Sequence, residues 1–158
     1  MLILILSISI VLLDQASKCL ILSGLPLHGQ APVIPGFFHI VHVHNTGAAW
    51  GMLEGYNACL IGLSVVILVA MLMFRRSIMG DAVTNRIAAG LIVGGIVGNL
   101  FDRLRFGYVV DFVDFHIGNS HFPAFNVADS AICVGAGLYI LFQVIAPETE
   151  QSKDAASQ

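Results

Sequence analysis

The sequence predicts a membrane protein with an all-α core, made of four transmembrane helices and a small extracytoplasmic β-sheet between spans one and two. Apolar residues make up 57% of the 158 residues and charged residues only 11%, whereas soluble domains are about 25% charged. The mean hydropathy of +0.87 agrees. A formal net charge of −3 without a basic run excludes a nucleic-acid partner.

Four apolar stretches are candidates for the spans, because a bilayer core of ~30 Å needs about 20 helical residues. The first lacks a basic start and a small-residue cleavage site, and Asp14 and Lys18 interrupt it. We therefore interpret it as a permanent span rather than a cleavable signal. The stretches cover residues 2–22, 58–74, 87–101 and 127–145.

The distribution of basic residues predicts the orientation. Arg75, Arg76 and Arg86 lie between spans two and three, while the segment between spans one and two has neither Lys nor Arg. Basic loops favour the cytoplasm, so both termini are expected there. We predict one four-span domain over residues 1–146, with outer segments 23–57 and 104–125, and a disordered cytoplasmic tail over 147–158.

Patterns within and between the spans predict how they pack. Residues 37–44 and 108–115 are rich in β-forming side chains and partly alternate, which is typical of strands. Gly90, Gly94 and Gly98 recur on one face of span three and allow another helix to approach closely. We therefore expect a small sheet on the outer side of the bilayer and a central third span.

Cysteine and histidine residues offer only weak signals. Three cysteines inside apolar stretches form no disulfide or zinc pattern, and we expect them to pack between helices. His42 and His44 are two residues apart and could share a strand face with a metal ion, but no helical His-Glu-x-x-His motif or cysteine partner accompanies them. The sequence therefore predicts no metal and no cofactor.

Polar residues concentrate at one depth of the predicted bundle. At ~1.5 Å per helical residue, nine polar residues fall in or beside the outer half of the bundle. Buried charges are costly in a membrane, at least ~2.5–3.5 kcal/mol each, so such a cluster predicts a functional site. Its members are Asp14, Lys18, Asn45, Asn99, Asp102, Arg103, Asp111, Asn126 and Asp129.

Each of these residues also has a structural interpretation. Asn126 and Asp129 have the spacing of a helix N-cap and a carboxylate in the first turn. Asp14 and Lys18, four residues apart, form a structural pair more readily than a catalytic one. Asp102 and Arg103 could be interfacial anchors. Asp111 could be an ordinary loop acid, with neighbouring Asp114 as its rival.

Five blocks of sequence resemble the bacterial lipoprotein signal peptidases, also called signal peptidase II, in order and along almost the whole chain to about residue 146. Trp50 stands where that family often has Phe, and little precedes the first span. Neither departure changes the motifs. The blocks are Asp-Gln-Ala-Ser-Lys at 14–18, Asn-Thr-Gly-Ala-Ala-Trp at 45–50, Gly-Asn-Leu-Phe-Asp-Arg at 98–103, Val-Val-Asp-Phe at 109–112 and Phe-Pro-Ala-Phe-Asn-Val-Ala-Asp-Ser at 122–130.

The resemblance implies an intramembrane aspartic endopeptidase of the bacterial cytoplasmic membrane, with its active site near the extracytoplasmic face. It would cleave diacylglyceryl-modified prolipoproteins immediately before the lipidated cysteine, with membrane lipid around it, as a monomer and without a cofactor. Carried over by position, the catalytic pair is Asp111 and Asp129. The remaining residues would line the site (Asn45, Gly47, Asn99, Arg103, Asn126) or support it (Asp14, Lys18, Asp102).

Three other functions are alternatives to this one. A small four-span proton-coupled exporter would use Asp14 as its titrating group, but such a carboxylate is expected near the midplane. A metallopeptidase would be built on Asp111, His116, His121 and Asp129. A non-catalytic scaffold would have little use for so costly a polar cluster.

Overall fold

The computed structural model describes residues 1–48, 52–76 and 82–145, and consists of four long helices and four strands. Trp50 and the predicted tail over 147–158 lie outside the described residues. The helices are α1 (Leu2–Gly24), α2 (Asn57–Met73), α3 (Val83–Phe106) and α4 (Val127–Ile145). The strands are β1 (Gln30–Ile34), β2 (Phe38–Asn45), β3 (Val109–Ile117) and β4 (Ser120–His121).

Three helices are long and apolar enough to cross a membrane: α1, α3 and most of α4. The apolar helix α2 has 17 residues and is shorter, so a fourth span stays a prediction. Leucines such as Leu4, Leu12 and Leu20 point outward from α1, while its buried residues are Ser7, Asp14 and Lys18. This inverted pattern is that of a helix facing lipid.

The cysteines differ from our expectation. Cys19, Cys59 and Cys133 are free, as predicted, but all three are exposed. The prediction that they pack between helices was wrong. A free thiol in such a position behaves as a small hydrophobic group, and Cys133 is among the residues that line a cavity between helices.

Helix α3 is the central helix, as its glycines predicted, and it contacts the other three helices. A Cβ atom on Gly90 would lie 2.8 Å from a side-chain carbon of Leu6, and one on Gly94 would lie 2.8 Å from a side-chain carbon of Ile10. A Cβ on Gly95 would collide with the carbonyl oxygen of Ala128 in α4. The missing side chains therefore let α1 and α4 approach the backbone of α3.

The four strands form one antiparallel sheet in the order β1-β2-β3-β4. The prediction of a sheet was confirmed, but its placement between spans one and two was incomplete, because β3 and β4 come from the segment between α3 and α4. A two-stranded hairpin alone is marginally stable, and β3 supplies the long central partner that β2 needs. That the sheet is extracytoplasmic stays a prediction.

The connection from α3 to β3 sets the position of the acid on β3. Gly107 follows the helix with φ 82°, in the left-handed region that glycine adopts without strain, and its N–H donates to the carbonyl of Arg103. The chain then enters β3 at once. In the sheet Asp111 pairs with Val43, beyond an irregularity in β2. The N–H of Val110, the residue before it, donates to Oδ2 of Asp102 in the last turns of α3.

Candidate functional site

A cavity of about 1000 Å³ opens between α2, α3, α4 and the sheet. Its walls are mainly apolar and come from all three helices, for example Leu63, Ile96 and Ile132. Polar groups are concentrated where the sheet meets the ends of α3 and α4. These are Asn45, Asn99, Arg103, Asp111, Asp129 and Ser130, while the polar side chain of Ser64 lies on α2.

Asp111 and Asp129 both line this cavity, and two asparagines connect them. The Nδ2 of Asn126 donates to Oδ1 of Asp111 at 2.7 Å, and the Nδ2 of Asn99 donates to Oδ1 of Asp129 at 2.7 Å. The two amides also meet, since Asn126 Nδ2 lies 3.2 Å from Asn99 Oδ1. Two acids that are far apart in sequence are thus neighbours in one hydrogen-bonded group.

Asn126 also caps α4, which confirms its structural interpretation as a helix N-cap. Its Oδ1 accepts from the backbone N–H of Asp129 at 3.0 Å, and its own N–H donates to Oδ2 of Asp129 at 3.3 Å. This is the reciprocal arrangement of a capping box. The cap fixes the Asp129 carboxylate in the first helical turn. It uses Oδ1 of Asn126, so that Nδ2 of the same side chain can donate to Asp111.

Burial and a like charge change the acidity of Asp111. This side chain is only 1% exposed. Burial, followed by the negative charge of Asp129, raises the pKa of Asp111 from 3.8 to about 7, against the hydrogen bonds from Asn45 and Asn126. A carboxyl group whose pKa is near neutral pH can be either protonated or ionised at physiological pH.

Three further predicted residues form a chain beside Asp111. Asn45 Nδ2 donates to Oδ2 of Asp111 at 2.9 Å, and Asn45 Oδ1 accepts from the N–H of Gly47 at 2.9 Å. Arg103 Nη2 donates to the carbonyl of Gly47 at 3.0 Å. Asn45 and Arg103 line the cavity, and the backbone of Gly47 is hydrogen-bonded to both side chains.

Lys18 lies at the centre of a second, fully paired charge cluster beside the two acids. Its Nζ is 2.8 Å from Asp14, 2.9 Å from Asp102 and 3.0 Å from Oδ1 of Asn99. All three donors of the ammonium group are therefore used. Asp14, Lys18 and Asp102 are almost fully buried, and the pairing of Asp14 with Lys18 was predicted correctly.

The same two carboxylates also hold backbone groups next to the cavity acids. Asp14 Oδ1 accepts from the N–H of Ala128 at 3.0 Å, and Asp102 Oδ2 accepts from the N–H of Val110 at 3.1 Å. These are the residues immediately before Asp129 and Asp111. One lysine thus organises the backbone attachment of both acids.

Sequence reasoning missed Gln15 and the apolar cavity wall. Gln15 Nε2 lies 2.9 Å from Asp102 Oδ1 and 3.1 Å from Asp14 Oδ2, and so joins the Lys18 cluster. Its polarity inside an apolar span was the available signal. The wall from α2 gave no signal, because one apolar residue facing a cavity resembles any other.

Asp114, the rival acid, does not belong to this site. It lies three residues beyond Asp111 on β3 and hence on the opposite face of the strand. It accepts from His121 Nδ1 at 2.9 Å, and His116 shares its face. The alternative metal set of Asp111, Asp129, His116 and His121 is therefore split between two faces of the sheet.

Long apolar helices around a cavity with buried carboxylates are the features of a membrane protein with a candidate acid–base site. Residues 6–145 match the family model for signal peptidase (SPase) II. The chain therefore belongs to the signal peptidase II family, and it is a peptidase of the aspartic type known for that family.

Related proteins support this assignment over most of the chain. A lipoprotein signal peptidase from Syntrophotalea carbinolica is 47% identical over 137 residues, covering 85% of each chain. One from Photorhabdus laumondii is 39% identical, covering 91% of this chain and 88% of the relative. A solved bacterial membrane enzyme, determined by the in meso method at 2.3 Å, has a TM-score of 0.81 and 32% identity, covering 94% of this chain and 90% of the other.

Proposed function

We propose that this peptidase removes signal peptides from diacylglyceryl-modified prolipoproteins and cleaves immediately before the lipidated cysteine. One observation carries the catalytic part of the proposal: Asp111 and Asp129 face one cavity and are joined through Asn126 and Asn99. The substrate class follows from the names of the relatives, which are lipoprotein signal peptidases.

In the proposed mechanism the two carboxyl groups share one proton, because neighbouring like charges resist double ionisation. Asp111 is the acid, consistent with its pKa of about 7. Asp129 is the base, since the dipole of α4 favours an anion in its first turn. Asp129 takes a proton from water, the water oxygen attacks the scissile carbonyl carbon, and Asp111 protonates the carbonyl oxygen.

The tetrahedral intermediate then collapses with its protons balanced. Asp129 gives its proton to the leaving nitrogen, the C–N bond breaks, and Asp111 regains a proton from a hydroxyl of the intermediate. Neither a covalent enzyme intermediate nor a cofactor takes part in these steps. Asn45 and Asn126 hold Asp111 in place, and Arg103 would bind the substrate backbone at the cavity edge.

The shape of the site suits a lipid-modified peptide. The mainly apolar walls between α2, α3 and α4 would accept apolar segments of the substrate, while the polar groups stand together at one end of the cavity. A thioether-linked diacylglycerol holds the substrate cysteine at the headgroup level. The scissile bond would then lie at the same depth as the two acids.

We further propose four spans in the bacterial cytoplasmic membrane, with both termini cytoplasmic and a monomeric enzyme. Arg75 and Arg76 follow α2, at the opposite end of the bundle from the site, which favours an extracytoplasmic position for Asp111 and Asp129. The exporter alternative gains nothing, because Asp14 is buried against Lys18 and does not line the cavity.

Cleavage by the purified full-length protein in detergent tests this function. We expect a synthetic prolipoprotein peptide with a diacylglyceryl cysteine to be cut before that cysteine, and the unmodified peptide to be cut far more slowly. Asp111→Asn and Asp129→Asn should each lower kcat by at least about 1000-fold.

Glu54→Gln makes the same carboxylate-to-amide change at an exposed position and serves as the matched control, with activity close to wild type. Full activity of Asp129→Asn would remove the proposed mechanism. Equal cleavage of both peptides would remove the proposed substrate class while leaving the two-acid mechanism intact.

A further inference from the structure

A second polar cluster lies on the face of the sheet opposite the cavity. His39 on β2 pairs directly with Asp114 on β3, and His116 on β3 pairs with His121 on β4. Directly paired residues project to the same face, as do residues two apart on one strand. The strand register therefore brings three imidazoles and one carboxylate together on three adjacent strands.

The ligand-type atoms of this cluster are close enough to share an ion. One such atom from each of His39, Asp114 and His116 lies within 4.8 Å of the others. His116 Nδ1 and Asp114 Oδ2 are 3.7 Å apart, too far for a hydrogen bond. That distance is close to the roughly 3.4 Å between two ligands of a tetrahedral zinc ion with bonds near 2.0–2.1 Å.

Two nitrogens in this cluster lack a hydrogen-bond partner among the described residues. The Nδ1 atoms of His39 and His116 are buried and make no hydrogen bond in the described part of the chain. His116 is 8% exposed and Asp114 only 6%. Burying unpaired polar groups beside a carboxylate is costly, and a cation bound among them would satisfy all of them at once.

We propose that His39, Asp114 and His116 bind a divalent transition-metal ion, with Zn²⁺ as the first candidate. Two imidazoles and a carboxylate are typical zinc ligands, and water or His121 would complete the tetrahedron. His121 Nδ1 also lies 2.9 Å and 3.0 Å from the two Asp114 oxygens, and so orients the carboxylate.

The ion would act on structure rather than on peptide cleavage. It would join β2 to β3, and these strands carry Asn45 and Asp111 on the opposite face. The proposal is thus independent of the proposed peptidase mechanism, in which no metal takes part. Its expected effect is to stiffen the strand pair that supports one of the two acids.

His42 and His44 provide a contrast within the same sheet. His42 Nδ1 is 2.9 Å from the carbonyl of Leu25, and the Nε2 atoms of His42 and His44 are 3.1 Å apart. These nitrogens already have partners inside the protein, and no carboxylate joins the pair as a third ligand in the described residues. The double variant His42→Ala/His44→Ala is therefore the matched control.

The test is a metal titration of the full-length protein in detergent after treatment with a chelator. We expect one equivalent of Co²⁺ to give the visible absorption of a tetrahedral site, and Zn²⁺ to displace it. His39→Ala and His116→Ala should each weaken binding by at least about 100-fold, whereas His42→Ala/His44→Ala should bind as wild type does. Unchanged binding by His116→Ala, or loss of binding in the control, would overturn the proposal.

Thermal unfolding covers the case in which a core variant folds poorly. Zn²⁺ should raise the Tm of the wild-type protein, because a ligand that binds only the folded state stabilises it. His121 is 52% exposed, so His121→Ala should fold normally and need about tenfold more Zn²⁺ for the same rise. An identical Zn²⁺ response of wild type and His121→Ala, or no response of either, would count against the site.

Discussion

Two groups of buried charges sit side by side in this protein and are treated in opposite ways. Around Lys18 every donor has an acceptor, and Asp14 and Asp102 accept from backbone N–H groups as well. Among the described residues, the donors at hydrogen-bond distance from Asp111 and Asp129 are all amides, and both acids border the cavity.

In the proposed mechanism the Lys18 cluster has a structural role and the two acids carry out the chemistry. A fully paired cluster holds its groups in one protonation state and one geometry, and so serves structure. A pair of acids without a direct cationic partner keeps its protons exchangeable, which acid–base catalysis requires. Asn99 joins the two groups, because it accepts from Lys18 and donates to Asp129.

Replacing Lys18 should disrupt the cluster around it and cause the largest loss of stability. Lys18→Met leaves Asp14 and Asp102 buried without their cation, which we expect to cost about 3–5 kcal/mol in unfolding free energy. Thermal or denaturant unfolding of the detergent-solubilised protein measures this loss. Replacing the whole group by Asp14→Asn, Lys18→Met and Asp102→Asn together should recover much of it. A single Lys18→Met protein as stable as wild type would show that the cluster is not structural.

The cavity group should respond through activity rather than stability. Arg103→Ala removes a guanidinium that lines the cavity and holds Gly47, so we expect kcat/KM to fall by about 10- to 100-fold through misplaced substrate. Arg105 is exposed and stacks on Phe106 at 4.7 Å. Arg105→Ala is therefore the control and should cleave like wild type. Equal losses in the two variants would mean that a general change of charge is responsible.

The pH dependence sharpens the contrast further. If Asp111 is the acid, kcat/KM should decline about tenfold per pH unit as its group deprotonates above its pKa of about 7. The measured value belongs to the pair of acids rather than to one residue. A rate that stays constant well above neutrality would exclude a protonated Asp111 as the acid.

The unfolding free energy should also depend on the protonation of Asp111, with a smaller change. The folded pKa of Asp111 lies above its ordinary value of 3.8, so the folded state binds the proton more tightly than the unfolded state. This contribution to stability is complete below about pH 4 and is lost as the pH rises through about 7. Asp111→Asn should remove that part of the slope in a series of unfolding measurements. An unchanged slope would assign it to other groups.

The polar site was predictable because polar residues are scarce in apolar spans. The four-residue spacing of Asp14 and Lys18 predicted their ion pair, and the three-residue spacing of Asn126 and Asp129 predicted the helix cap. The assignment of Asp111 over Asp114 came from the family resemblance. Strand alternation supports the same choice in the structure, where only Asp111 lines the cavity.

The sheet and the cavity were harder to predict, for different physical reasons. The sheet joins strands from two distant segments, and their pairing depends on how α3 places β3 beside β2. The cavity is bounded by apolar residues whose contacts depend on the packing of α2 against α3. The register that collects His39, Asp114 and His116 also arises only in three dimensions.

The backbone tethers from Asp14 to Ala128 and from Asp102 to Val110 have a mechanical consequence. The ammonium group of Lys18 contacts both Asp14 and Asp102. A sliding motion of α1 would therefore move β3 and α4 together. The spacing between the carboxyl groups of Asp111 and Asp129 would then be preserved during such a motion. Proline at position 110 or 128 would cut one tether without altering any charge.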